Sequence, residues 1–76
     1  MASFPKTFEE CETAMLLPFV QSRILNALDK RIPEIMFSDW GDEWLYLENP
    51  KFVGHPTTTM TASKDGFTVR VHFCRD

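Results

Sequence analysis

Six residues in one short stretch, Asp39, Trp40, Asp42, Glu43, Trp44 and Tyr46, combine carboxylates with large aromatic rings. Aromatic side chains supply contact area and anchor protein interfaces, while acids steer a surface toward Lys and Arg on a partner. The pattern points to a protein-binding hairpin whose partner-contacting residues are Asp39, Trp40, Asp42, Glu43 and Trp44. A plainer reading of the same residues places Trp44 and Tyr46 in the core and leaves the acids to solvate a turn. Paired carboxylates also serve general acid/base chemistry when their environments pull their pKa values apart. These three acids crowd one small turn, however, and a chain of 76 residues seldom encloses the several hundred Å³, on the order of 300 or more, that a small-molecule site occupies.

The other reactive groups are two cysteines, Cys11 and Cys74, and two histidines, His55 and His72. No CxxC spacing surrounds either thiol, so neither metal binding nor nucleophilic catalysis has a motif behind it. His72 and Cys74 alternate onto one strand face, from which a metal site would need His55 or Cys11 as well. A disulfide between the cysteines is one option; two buried thiols acting as small hydrophobes are the other, favoured in a reducing compartment. No glycine-rich phosphate loop of the GxGxxG or GxxxxGK[ST] type is present. Arg70 and His72 form a second candidate patch, where a strand face could stack a nucleotide or single-stranded base against a neighbouring aromatic ring.

Lys and Arg total eight against eleven acids, for a formal charge of -3. The imbalance is uneven: residues 1–48 carry -5 and residues 49–76 carry +2. Duplex nucleic acid attracts stripes of Lys and Arg, which are missing here, so a protein partner with a basic surface is the expectation and duplex nucleic acid is not. No apolar run approaches the roughly 20 residues of a membrane span, and the start lacks the regions of a secretory signal, so a cytoplasmic, membrane-free protein is expected. No cofactor is called for.

These groups need elements to hold them. Residues 1–6 read as a flexible tail of one small domain over 1–76. Thr7-Phe8-Glu9-Glu10 fits a capping box, which predicts a helix from Phe8. Acids Glu9, Glu10 and Glu12 lie at its start and Lys30 and Arg31 at its end, in accord with the helix dipole. Two apolar rows, Phe8, Cys11, Met15, Phe19 and Leu17, Val20, Ile24, Leu28, follow helical spacing. Pro18 interrupts them and predicts a kink or two short helices. After Pro33 the period changes to two. Residues 34–38 and 43–48 read as a hairpin with Trp40 and Gly41 in its loop, which pairs Phe37 with Trp44. Asn49-Pro50 breaks the strand, and residues 51–56 form a loop. Residues 57–63, the turn Lys64-Asp65-Gly66 and the alternating Phe67, Val69, Val71, Phe73 form a second hairpin.

The expected fold is therefore α+β, an N-terminal helix kinked or broken near Pro18 and packed on an antiparallel β-meander of three to four strands as a two-layer sandwich. One helical layer covers one sheet face. If Ile35, Phe37, Trp44 and Tyr46 lie under it, then Met36, Leu45 and Leu47 face outward, and the reverse holds in the opposite register; either way one apolar set needs cover from an oligomer, a partner, or a small second helix formed by the Pro18 break. The expected function is a small non-catalytic protein-binding module, with a phage- or mobile-element-encoded inhibitor of a basic host site as the setting that size and charge suggest. The alternative is a self-associating, homodimeric structural module.

Overall fold

Thr7 begins the first helix as its sequence requires. In the computed structural model, which describes residues 3–41, 43–51 and 56–75, the Glu10 amide donates to the Thr7 hydroxyl and the Thr7 amide to the Glu10 carboxylate, each at 3.1 Å. Helix α1 runs Phe8–Ala14 and helix α2 runs Pro18–Lys30. Pro18 breaks the helical segment rather than kinking it, because at the first position of α2 its missing N–H would have no intrahelical acceptor anyway. The change of direction splits the two apolar rows. Val20, Ile24, Ala27 and Leu28 are buried along α2, whereas Phe8 at the start of α1 is 59% exposed. Arg31 ends α2 in the left-handed conformation, φ 58°, with the Ile32 amide donating back to the Ala27 carbonyl at 2.9 Å.

Four strands follow: β1 (Glu34–Trp40), β2 (Glu43–Glu48), β3 (Thr57–Lys64) and β4 (Phe67–Cys74). Both expected hairpins form, but the expected antiparallel meander does not. The sheet order is β2-β1-β4-β3, with β1 and β4 parallel neighbours at the centre. Burial explains the correction. A meander would centre the Glu-bearing β2 and the Thr-rich β3, whereas the observed order centres Ile35, Met36 and Phe37 beside Val69, Val71 and Phe73, all buried. Residues 49–56 consequently join opposite edges and opposite ends of the sheet, since Glu48 pairs with Ile35 and Thr57 with Cys74. Most of that expected loop, including Gly54 and His55, lies outside the described residues.

Turn chemistry sets the two registers. Asp65 and Gly66 both have positive φ, 52° and 79°, and close the Lys64↔Phe67 pair as expected. In the first hairpin Trp40 pairs with Glu43, so the loop falls at Gly41-Asp42, one residue beyond Trp40-Gly41, and Phe37 sits opposite Tyr46 rather than Trp44. The shift moves the pairing by an even number of residues and leaves every side chain on its expected face.

Both helices pack on one face of the sheet, so the break at Pro18 supplies no cover for the other. The core joins Cys11, Ala14, Val20, Ile24 and Ala27 to Ile35, Phe37, Val69, Val71 and Phe73. The loose tail expected for residues 1–6 does not hold for Phe4 and Pro5, both buried. The Phe4 ring meets Trp44 edge-on at 4.8 Å and Phe73 at 6.2 Å, and Arg75 donates to the Lys6 carbonyl.

Candidate functional site

Strand alternation divides the acidic-aromatic cluster between two faces. Asp39 and Trp44 are paired residues on the helix side, where the Trp44 ring packs edge-on against Phe19 at 4.9 Å and lies 6.2 Å from Phe37. Trp40 and Glu43 pair on the opposite, open face, both exposed. Asp42 lies outside the described residues. The four described residues of the expected partner surface are thus divided between two faces: Trp44 is part of the aromatic core, and the exposed ring of this hairpin is Trp40.

What the sheet assembles instead is an apolar strip on its open face. Trp40, Leu45 and Leu47 are 64%, 41% and 51% exposed, whereas Met36, paired with Leu47 on the same face and expected to need cover, is buried. Residues 34–48 hold five acids, Glu34, Asp39, Asp42, Glu43 and Glu48, and no base. The hairpin thus combines an exposed apolar strip with an acidic segment.

On the helix side of the same hairpin, the Arg23 guanidinium sits 4.4 Å over the Tyr46 ring, and the Tyr46 hydroxyl donates to Glu48 Oε2 at 3.2 Å. Burial of the phenol, then the charge of Glu48 and its hydrogen bond, push the Tyr46 pKa up to about 12 despite Arg23. Tyr46 is the single tyrosine, so tyrosinate absorbance reads it alone. The folded protein should titrate near pH 12 and the urea-unfolded chain near 10, the ordinary value. The raised pKa favours the neutral phenol, so its contribution to stability is whole below pH 10 and is lost as pH rises through about 12.

The second candidate patch is wired into the sheet. His72 on β4 is 6% exposed; its Nδ1 is 2.8 Å from Thr59 Oγ1 on β3 and its Nε2 2.9 Å from Glu34 Oε1 on β1. Arg70 Nε reaches the same carboxylate oxygen at 3.5 Å. A carboxylate oxygen accepts, so Nε2 carries a proton and donates to Glu34, while Nδ1 meets the Thr59 hydroxyl. Hydroxyl, imidazole and carboxylate in this order also activate nucleophiles, but here they link three adjacent strands across a sheet face. A cavity of about 360 Å³ opens elsewhere, between Ser3, Pro5, the cap residue Thr7 and the α1 residues Glu10 and Thr13. Trp40, the exposed ring on the face of Arg70 and His72, lies six residues along β1 from Glu34, about 20 Å, so among the described residues no exposed aromatic ring of this hairpin lies beside Arg70.

Both cysteines are free and buried. Cys11 belongs to the helix-side core, with its thiol bonded to Thr58, and burial raises its pKa. Cys74 pairs with Ser38 and Thr57 on the open face. The sheet separates the thiols, which rules out a disulfide between them in this fold. His72 and Cys74 share the open face as expected, Cys11 does not join them, and His55 lies outside the described residues. Among the described residues no three His, Cys, Asp or Glu gather as metal ligands, and no helix is long and apolar enough to cross a membrane.

The sequence reading missed Glu34 and Thr59 as the partners of His72. Only the β1/β4 adjacency, which carries no local signal, brings Glu34 within reach. Comparison with known proteins finds no family model, curated protein or solved structure that matches the chain.

Proposed function

We propose that this protein is a small non-catalytic protein-binding module that engages a basic partner surface through the open face of its β1–β2 hairpin, with Trp40, Leu45 and Leu47 as apolar anchors and Glu43 as a flanking acid. The observation that carries the reading is the coincidence of three exposed large apolar side chains on a sheet face the helices leave uncovered with a segment of five acids and no base. Acids on a partner surface accelerate encounter with Lys and Arg, and a desolvated aromatic anchor then holds the complex. Occupying a basic site on a larger protein in this way needs a rigid surface and no pocket, so an inhibitor or accessory subunit, including one encoded by a phage or mobile element, is the role proposed.

The test is affinity capture from lysate with tagged protein beside the variant Trp40→Ala/Leu45→Lys. Both substituted side chains are exposed, so the variant should keep its circular dichroism and melting, while binding to the captured partner falls about 30-fold or more, the effect of losing a hot spot. Equal capture by both proteins removes the reading. The same apolar strip also suits a homodimer, and light scattering that gives twice the 8.8 kDa chain mass at micromolar concentration, reversed in the variant, would favour self-association instead.

A further inference from the structure

We infer that the binding element of this surface is the outer edge of β2, which pairs with no other strand among the described residues and takes an extended partner segment as a fifth strand, with apolar residues in the middle of that segment and Lys or Arg at both ends. The inference rests on the protein-binding reading above and specifies its partner. β2 is an edge of the sheet. The phase of its hydrogen bonds follows from the Asn49 amide, which donates to the Glu34 carbonyl at 2.8 Å. In an antiparallel pair, bonded and non-bonded positions alternate, so in β2 the amides and carbonyls of Leu45 and Leu47 turn to β1, and those of Tyr46 and Glu48 turn off the sheet.

Edge strands are usually guarded by proline, lysine, a bulge or a covering loop. β2, with the sequence EWLYLE, has neither proline nor lysine, and its register with β1 is unbroken from Ile35↔Glu48 to Trp40↔Glu43. The opposite edge, β3, differs in what it offers. Its open-face side chains are Thr57, Thr59, Thr61 and Ser63, which give an added strand nothing apolar to bury. Beside β2, an added strand covers Leu45 and Leu47 on the open face and flanks Tyr46 on the other.

Charge selects the occupant. Glu43 and Glu48 bracket the strand, and the hairpin holds five acids without a base, so a second copy docking β2 against β2 would bring two such hairpins together. A segment with basic ends is complementary instead. Arg23 already sits over the Tyr46 ring, which places the partner's cations at the ends of the strand, beside Glu43 and Glu48, rather than at its centre. Main-chain bonds then supply affinity, and alternating side chains supply specificity.

The probe is a synthetic peptide in which Val alternates with Thr between a Lys at one end and an Arg at the other, titrated into the full chain and followed by amide shifts in NMR. Saturable binding is expected with a Kd below about 1 mM and shifts centred on Tyr46 and Glu48. N-methylation of one alternate set of peptide amides should abolish binding, and methylation of the other set should not. Glutamate in place of the basic ends should weaken it at least tenfold. On the protein, Glu48→Gln keeps the outward amide and Glu48→Pro removes it, so the proline variant should lose at least tenfold more affinity at an unchanged far-UV spectrum. Binding indifferent to which amides are methylated, shifts centred on β3, or no saturable shift overturns the inference. So does a dimer that dissociates on Glu48→Pro, which assigns the edge to a second copy. Each of these leaves the protein-binding reading standing as long as Trp40→Ala/Leu45→Lys still abolishes partner capture, and loss of that dependence sinks the broader reading separately.

Discussion

Phe37→Ala is expected to destabilise the protein by about 3–5 kcal/mol, the range for removing a fully buried aromatic side chain. The Phe37 ring is 2% exposed and is the hub of the aromatic cluster. It stacks on Phe73 at 5.7 Å, meets Tyr46 at 5.4 Å, and lies 6.2 Å from Trp44 and 6.3 Å from Phe19. It also sits in β1, the strand that pairs with β2 on one side and β4 on the other, so the cavity left by truncation would lie where both hairpins meet the helices. A chain of 76 residues has a total stability on the order of 4–11 kcal/mol. The loss takes a large share of that, and urea denaturation should show a sharply lowered midpoint, one that reaches zero where the total lies at the low end of the range. A midpoint within the error of the parent would mean that this ring is not the centre of the core.

The second large effect separates the two tryptophans. Trp44→Ala should cost about 3 kcal/mol, because its ring fills the space between Phe4 and Phe19 at 4.8 and 4.9 Å and ties the N-terminal segment and α2 to the sheet. Trp40→Ala should change stability by no more than about 0.5 kcal/mol, since an exposed residue outside any network leaves no cavity, while weakening partner binding. Paired denaturation and binding curves for the two variants check this. The opposite assignment, with Trp44 dispensable for folding and Trp40 essential to it, would reverse the faces of the hairpin and with them the proposed surface.

The distinction between Trp40 and Trp44 shows how far the residues alone could be read. Both belong to a run of carboxylates and rings, and composition groups them as one surface. Strand periodicity groups Trp44 with Phe37 and Leu45 with Leu47, but the loop position decides which residues pair, and the loop opens with Gly41, at φ 61°, instead of closing with it. Among the candidate site residues, Trp40 and Glu43 share the open face; Asp39 and Trp44 face the helices; Arg70 and His72 are bound to Glu34.

Local physical chemistry by itself determined where α1 starts, through the Thr7–Glu10 capping box, and where the helical segment breaks, because Pro18 lacks an amide and clashes with a preceding turn. It determined both hairpins, through the two-residue period and the Asp65-Gly66 turn, and it determined that a single helical layer would leave one apolar set of the first hairpin in need of cover. These are interactions between residues a few positions apart. Only the tertiary structure decided that β1 and β4 lie side by side in parallel, that Phe4 enters the core, that Cys11 and Cys74 are on opposite faces, and that His72 is held by Glu34 and Thr59. Each of these depends on which strands share the most complete burial, a competition among whole elements in which Val69, Val71 and Phe73 gain more beside Ile35 and Phe37 than beside the neighbours that chain order would have assigned.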